Sequence, residues 1–136
     1  TMTSKKIGDV MGPGTHGSTY GGNPLAVAVG NAVLDLMQKE DFKSNLEKVS
    51  SYLIRGLRDI LLKYPKSISE IRGKGLILGI KCHKDNITFV EELRKQKMLS
   101  IKAGDNVVRL LPPLTVSTNE CDEALRKIES VCDLGF

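Results

Sequence analysis

Residues 15–24 contain the residue types that can bind a phosphate group. Two adjacent hydroxyl side chains, Ser18 and Thr19, are followed by two glycines and by Asn23-Pro24, a typical helix start. Glycines let backbone N–H groups approach an anion, hydroxyls add donors, and the first turn of a helix has free N–H groups. A glycine-rich turn that only caps a helix has the same composition and is the more common of the two. From residue types alone, a phosphate site and a capped turn both stay open.

A single cation, Arg109, interrupts an otherwise apolar run at residues 107–111, and Pro112-Pro113 follows the run. A guanidinium in this position can present two parallel N–H donors to a carboxylate. An arginine on an edge strand that reaches solvent is the more common alternative. Arg109 is therefore a candidate carboxylate-binding residue, with the edge-strand arginine as the alternative.

The remaining ionisable residues form no recognisable catalytic or metal-binding pattern. The 16 acidic residues lie mostly on predicted helix faces, and none of them form a pair typical of general acid–base catalysis. The three cysteines show neither a C-x-x-C pattern nor a Cys/His cluster, so they predict reduced core thiols rather than a zinc site or disulfides; they are Cys82, Cys121 and Cys132. We therefore expect no metal site.

Composition and charge limit the expected partners. Twenty Lys and Arg against 16 Asp and Glu give a net charge of +4, which is too small and too dispersed to predict nucleic-acid binding. No apolar run approaches the roughly 18–20 residues that span a bilayer, and residues 1–10 lack the apolar core of a signal peptide. We expect a cytoplasmic protein with neither nucleic acid nor a membrane among its partners.

The first 37 residues predict a loop followed by one helix. Residues 1–23 show neither a helical nor a strand period, which indicates an ordered loop. Residues 24–37 are apolar around most of a helix circumference, so this helix is expected to be buried or to pack on a second chain. Because such a segment fits a small domain poorly, we expect residues 1–37 to be the remnant of a larger domain.

Residues 38–136 predict a small domain of mixed helices and strands. Apolar residues recur at three- and four-residue steps in residues 41–63 and again in residues 86–97. Ser117-x-x-Glu120 has the spacing of a capping box and predicts a final helix. The expected strands lie at residues 67–72, 76–82, 99–102 and 107–111. A small sheet covered by helices is the economical packing, so we predict an α/β (α+β) fold.

Three segments resemble class III, pyridoxal-phosphate-dependent aminotransferases. Residues 15–25 closely resemble the family segment G-T/E-H-G-S/T-T-F/Y-G-G-N-P-L. Two more segments agree in order and rough spacing: Ile-Arg-Gly-Lys-Gly-Leu at residues 71–76 and Ala-Gly-Asp-Asn-Val-Val-Arg-Leu-Leu-Pro-Pro-Leu at residues 103–114. The last segment is more similar to N-acetylornithine aminotransferases than to ornithine or 4-aminobutyrate aminotransferases.

The resemblance implies the C-terminal small domain of a fold-type I transferase, preceded by a loop and a buried helix from the large domain. In such a homodimer, Ser18 and Thr19 would hydrogen-bond the phosphate of pyridoxal 5'-phosphate in the neighbouring subunit, with Thr19 as the main contact. Arg109 would bind the α-carboxylate of the substrate. The implied reaction moves the amino group of N-acetylornithine to 2-oxoglutarate, so that a small-molecule amino acid and a 2-oxo acid are the substrates, in arginine biosynthesis.

The resemblance covers only the last third or so of the family's length. The family's Schiff-base lysine, the acidic residue at the pyridine nitrogen and a second phosphate-binding turn belong to the part upstream of the matching region. We therefore expect no catalytic residue in this chain and no transaminase activity of the chain alone. The alternatives are a small ligand-binding or oligomerisation module and an inert gene remnant.

Overall fold

The computed structural model describes residues 2–136, and the chain divides into two compact units, Thr1–Gln38 and Lys39–Phe136. The first unit contains two helices and the loop between them. Helix α1 (Lys5–Gly8) is a single turn in which the Gly8 N–H donates to the Ser4 carbonyl oxygen at 2.9 Å. The prediction of a loop for residues 1–23 is wrong at this turn, because a single helical turn is too short to show a period in the sequence. Thr1 lies outside the described residues.

Helix α2 (Pro24–Met37) begins where the sequence predicts. The Asn23 side chain accepts a hydrogen bond from the Ala26 N–H at 2.9 Å, and Pro24 takes the first helical position. No residue of α2 is buried within the chain, and large apolar side chains remain about half exposed, such as Val27 at 50% and Leu34 at 53%. Burial of this helix against a further part of a larger protein or a second chain stays a prediction.

The second unit is built on a four-stranded antiparallel sheet. Its strands are β1 (Ile68–Lys74), β2 (Ile77–Cys82), β3 (Ile101–Ala103) and β4 (Val107–Leu110), in the spatial order β1-β2-β4-β3. The end of β1 requires glycine: Gly73, which pairs with Leu78 of β2, has a φ of 130°, and a Cβ there would lie 2.1 Å from the Ile77 carbonyl oxygen. β4 is hydrogen-bonded to both β2 and β3 and therefore lies in the interior of the sheet.

Helices α3 (Glu40–Lys63) and α4 (Asn86–Lys95) pack on this sheet, and α5 (Thr118–Asp133) packs on α3 and α4 around the same core. Alternation along the strands creates the covered face, because Leu78 and Ile80 of β2 and Val108 and Leu110 of β4 are all buried in the core. On the helices, the buried residues recur at three- and four-residue steps: Val49, Leu53, Leu57 and Ile60 of α3, Phe89 and Leu93 of α4, and Ile128 and Val131 of α5. The predicted fold, a small sheet covered by helices, is confirmed, with the helices of this unit on a single face.

Helix α4 ends two residues before the predicted limit of residue 97. Lys97 adopts a φ of 60°, and the Met98 N–H donates to the Leu93 carbonyl oxygen at 2.9 Å. This geometry ends a helix in the way that a glycine usually does. Because lysine occupies the left-handed position here, the sequence carries no signal for the helix end.

The three cysteines are buried free thiols of the second unit, which confirms the predicted reduced core thiols; they are Cys82, Cys121 and Cys132. Burial raises the pKa of Cys82 to about 11 and the pKa of Cys132 to about 12. The thiols are therefore protonated and act as small apolar groups of the core.

Among residues 2–136, no helix combines the length and the hydropathy that a membrane-spanning helix needs. The same residues contain no group of three or more His, Cys, Asp or Glu side chains that could hold a metal ion.

Candidate functional site

The face of the sheet opposite the helices carries the candidate carboxylate-binding residue. Along β4, Val108 and Leu110 point into the core, so that Arg109 points to the opposite face. Its cross-strand partners are Gly79 on β2 and Ile101 on β3. The edge-strand alternative for Arg109 is therefore wrong, because β4 has a neighbour on each side. The side chain is nevertheless exposed, since no helix of this unit covers that face.

A cleft of about 510 Å³ lies on this open face. Gly79 forms part of its lining, between Arg72 on one side and Arg109 on the other. A Cβ at Gly79 would lie 2.9 Å from Val107 Cγ1 and 3.4 Å from Arg72 Cγ, so that a side chain there would displace these neighbours. Glycine at this position lets the side chains of Val107 and Arg72 pack closely over the sheet.

The cationic side chains around the cleft differ in their partners. Arg72 Nη1 lies 3.0 Å from Asp105 Oδ2, and Lys81 Nζ lies 2.9 Å from Asp105 Oδ1. Lys81 and Arg72 together hold the pKa of the Asp105 carboxyl below its usual range. Glu70 Oε2 lies 3.9 Å from Arg72 Nη1. Within residues 2–136, Arg109 has no ion-pair partner inside 4.0 Å, so its guanidinium is available to a carboxylate.

The turn between β3 and β4 positions Asp105. Asp105 and Asn106 have φ angles of 60° and 55°, the left-handed conformation that Asp and Asn tolerate best after glycine. The Asn106 side chain donates to the Cys82 and Lys84 carbonyl oxygens at 2.7 and 2.8 Å and accepts from the Asn86 N–H at 2.9 Å. The turn is thus tied to the end of β2 and the start of α4.

Asn86 completes this network and was not identified from the sequence. It is 7% exposed, and its Nδ2 donates to the Ala103 carbonyl oxygen at 3.0 Å and to the Val107 carbonyl oxygen at 2.8 Å. These two carbonyl groups lie on either side of the turn. An asparagine directly after Asp85 looks like an ordinary helix start in the sequence, so only the three-dimensional contacts show that it supports the site.

The hydroxyl pair Ser18 and Thr19 lies in the first unit, in the loop before α2. The Gly21 N–H donates to the Ser18 carbonyl oxygen at 3.1 Å, and the Asn23 N–H donates to the Tyr20 carbonyl oxygen at 3.1 Å. Both hydroxyl side chains are exposed, and within residues 2–136 neither forms a hydrogen bond. Two free hydroxyl donors beside a helix N-terminus are a donor set that fits a phosphate group.

The family comparison covers nearly the whole chain. The family model described as Aminotransferase class-III matches residues 1–132. The acetylornithine aminotransferase of Brucella melitensis is 47% identical over 123 residues, which cover 90% of this chain and 30% of that relative. Ornithine aminotransferase 1 of Staphylococcus aureus is 41% identical over 130 residues, which cover 96% of this chain and 32% of that relative.

Solved structures show the same fold. The acetylornithine aminotransferase from Elizabethkingia anophelis matches with a TM-score of 0.79 and 32% identity over 96% of this chain and 35% of its own. The ornithine δ-aminotransferase of Plasmodium falciparum matches with a TM-score of 0.81 and 30% identity over 94% of this chain and 34% of its own. The chain thus spans about a third of the length of the relatives that it matches. Because the family model covers both the loop with Ser18 and Thr19 and the sheet with Arg109, the resemblance seen in the sequence is confirmed, and the chain belongs to the class III aminotransferases.

Proposed function

We propose that this chain is the C-terminal segment of an aminotransferase that moves the amino group of N-acetylornithine to 2-oxoglutarate in arginine biosynthesis. The observation that carries the proposal is the guanidinium of Arg109, which is exposed on the open sheet face and has no ion-pair partner within residues 2–136. The 47% identity to the acetylornithine aminotransferase of Brucella melitensis, over 90% of this chain, supports the acetylated substrate.

Arg109 suits both proposed substrates because each carries a carboxylate. In 2-oxoglutarate this carboxylate is next to the carbon that gains the amino group, whereas in N-acetylornithine it lies at the acetylated end, away from the terminal carbon that loses the amino group. A guanidinium stays protonated throughout the physiological pH range and offers parallel N–H donors to the two carboxylate oxygens. Binding of this kind fixes both the position and the orientation of the substrate. Arg109 would thus hold the amino acid in one half-reaction and the 2-oxo acid in the other.

Ser18 and Thr19 would hold the phosphate of pyridoxal 5'-phosphate, since their hydroxyl groups are exposed and free of other hydrogen bonds within residues 2–136. When bound, the cofactor supplies an electron sink for the carbon that carries the amino group. In a homodimer, the two hydroxyls would donate hydrogen bonds to the cofactor phosphate in the site of the partner subunit. In the complete cytoplasmic enzyme, residues 1–37 belong to the large domain, which covers the apolar surface of α2, and residues 38–136 form the small domain.

The first test concerns the full-length product of the gene that encodes this chain. Its intact mass under denaturing conditions is expected to lie well above 14.9 kDa, the mass of the 136 residues. A product of 14.9 kDa would contradict the proposal. In a separate activity assay, the purified 136-residue chain with added pyridoxal 5'-phosphate is expected to show no turnover of N-acetylornithine with 2-oxoglutarate.

The role of Arg109 is tested by Arg109→Ala in the full-length product. Hydrogen bonds to a charged group contribute about 1.5–3 kcal/mol, so we expect kcat/KM for both carboxylate substrates to fall about 10- to 100-fold. Arg58→Ala is the matched control, because Arg58 is an exposed arginine of α3 on the helical side of the domain. Unchanged kinetics of Arg109→Ala with both substrates would refute the assigned role.

A further inference from the structure

The side chain of Asn86 joins the ends of two neighbouring strands. Its Nδ2 donates to the Ala103 carbonyl oxygen at 3.0 Å and to the Val107 carbonyl oxygen at 2.8 Å. Ala103 of β3 and Val107 of β4 form the cross-strand pair next to the β3–β4 turn. One amide group therefore holds both strands at the point where their pairing ends.

This contact is not needed to start α4. The helix is capped by Asp85, whose carboxylate accepts from the Thr88 N–H at 3.0 Å. Asn86 is buried, and its side chain contacts the β3–β4 hairpin instead. Replacing the amide by a methyl group would leave two carbonyl groups without this donor in a region shielded from solvent. The hold on the turn would weaken, whereas the cap of α4 would remain.

Val107, which Asn86 holds, lies beside Arg109 on the open face of the sheet. Residues two apart on a strand share a face and lie about 7 Å apart, and both Val107 and Arg109 line the cleft. β3 pairs with β4 through three residue pairs, and the pair at the far end from the turn is Ile101 with Arg109. Because the ladder is this short, a displacement at its turn end reaches Arg109.

We propose that Asn86 is a positioning residue for Arg109: by joining β3 and β4 at their turn, it sets the orientation in which the guanidinium meets a substrate carboxylate. The inference rests on the proposed function, because it takes Arg109 as the group that binds the carboxylate. Paired hydrogen bonds between a guanidinium and a carboxylate require a fixed relative orientation. A displacement of about 1 Å can lower a rate about 100-fold. A shift of β4 would therefore weaken substrate binding although Arg109 is present.

The contacts of the turn on the open face hold it less firmly. Asp105 lies 2.9 Å from Lys81 and 3.0 Å from Arg72, but the Asp105 side chain is 55% exposed. Ion pairs at such positions are screened by solvent and usually contribute little to structure. The hydrogen bonds of Asn86 are shielded from solvent, so we expect their loss to displace β4 more than the loss of either ion pair.

The test is a double-mutant cycle on the full-length product with Asn86→Ala, Arg109→Ala and the double variant. In the natural sequence, Asn86→Ala is expected to lower kcat/KM for N-acetylornithine and for 2-oxoglutarate about three- to tenfold. The change should lie in KM, with nearly unchanged kcat, because substrate and transition state lose the same contact. In the Arg109→Ala background, the same substitution is expected to change kcat/KM by less than about twofold.

Thermal unfolding separates positioning from a loss of stability. Asn86→Ala is expected to lower the Tm by a similar amount with and without Arg109→Ala, because the same hydrogen bonds are lost in both backgrounds. Only kcat/KM should depend on the background. Asn45→Ala is the matched control: the Asn45 side chain donates to the Val116 carbonyl oxygen at 3.4 Å, away from the cleft, and its loss should leave kcat/KM unchanged.

An equal fold loss of kcat/KM from Asn86→Ala in both backgrounds would overturn the inference. So would no loss in the natural sequence, or a loss in Asn45→Ala as large as that in Asn86→Ala. The two proposals fail separately. Unchanged kinetics of Arg109→Ala would refute the proposed function, whereas impaired Arg109→Ala with equal losses from Asn86→Ala in both backgrounds would refute only the role of Asn86.

Asn106→Gly gives a second test in case Asn86→Ala does not fold. The Asn106 side chain ties the turn to the Cys82 and Lys84 carbonyl oxygens, and glycine adopts the φ of 55° without strain. The variant therefore keeps the turn but loosens it. We expect a lower kcat/KM in the natural sequence and little change when residue 109 is alanine. Unchanged kcat/KM in the natural sequence, or equal losses in both backgrounds, would again overturn the inference.

Discussion

Among single residues, Arg72 and Arg109 show that two arginines on the same sheet face can differ in their ability to bind a further carboxylate. Both flank Gly79 and both are exposed. Arg72 is engaged by Asp105 at 3.0 Å, whereas Arg109 forms no ion pair within residues 2–136. The difference comes from their neighbours, because the β3–β4 turn places its carboxylate beside β1 and β2. Whether an arginine on this face is engaged in an ion pair therefore depends on its position in the sheet.

Thr19→Ala is expected to weaken retention of pyridoxal 5'-phosphate by the full-length product. The substitution removes a hydroxyl that we propose donates to the phosphate, and a hydrogen bond to a charged group contributes about 1.5–3 kcal/mol. The measurement is the cofactor absorbance that remains after exhaustive dialysis. Thr3→Ala removes an exposed threonine hydroxyl elsewhere in the first unit and should retain the cofactor. Equal retention by Thr19→Ala and the natural sequence would count against this contact.

At the scale of secondary structure elements, α5 and the β3–β4 turn are stabilised in different ways. α5 starts with a local capping box, in which Ser117 Oγ accepts from the Glu120 N–H at 3.3 Å and Glu120 Oε2 accepts from the Ser117 N–H at 2.8 Å. The turn is held instead by Asn106 and by Asn86 from the start of α4. The capping box is confirmed as predicted, whereas the turn depends on residues distant in sequence.

Ser117→Ala is expected to lower the free energy of unfolding of the chain by about 1 kcal/mol, since it leaves the Glu120 N–H without its capping acceptor. Urea denaturation followed by circular dichroism provides the measurement. Ser130→Ala, at an exposed position inside α5, is the control and should leave the stability unchanged or slightly higher, because alanine has the higher helix propensity. A Ser117→Ala midpoint equal to that of the natural sequence would show that the cap contributes nothing.

In the molecule as a whole, all buried core residues among residues 2–136 come from the second unit, between Val49 and Cys132. Two of them, Cys82 and Cys132, are thiols whose pKa is raised by burial from 9.0 to about 11 and about 12. In the unfolded chain these thiols lose their protons from about pH 9 upward, whereas in the folded chain they keep them. Their contribution to stability is thus complete below pH 9 and is lost as the pH rises toward their folded pKa values.

The unfolding free energy is therefore expected to fall as the pH rises above 9.0, the ordinary thiol pKa, with each thiol contributing about 1.4 kcal/mol per pH unit. Urea denaturation between pH 8 and pH 10.5 measures this slope. Cys82→Ala should make the slope shallower, whereas Val131→Ala, which also truncates a buried side chain of the core, should lower the stability and keep the slope. Identical slopes in the two variants would contradict burial of a protonated Cys82.

The local features of this protein, and its family, can be read directly from the amino-acid sequence. The Asn23-Pro24 start of α2, the apolar spacing of α3 and the capping box of α5 all rest on interactions within a few residues, and such interactions can be read from spacing. The segment around Ser18 and Thr19 carried the family resemblance that the family comparison confirmed. The phosphate role of that pair and the carboxylate role of Arg109 remain proposals.

The groups that surround Arg109 are set by contacts between strands that are distant in the sequence. The strand order β1-β2-β4-β3 placed this arginine on an interior strand, and the pairing brought Asp105 to Arg72 and Lys81 across 33 and 24 residues of sequence. No period or motif in the sequence encodes such contacts, because strand order and register follow from burial of one sheet face under the helices. Because the opposite face of the sheet is buried, Arg72 and Arg109 lie on the open face, on either side of Gly79. The charges of these two arginines and their ion-pair partners define the candidate site.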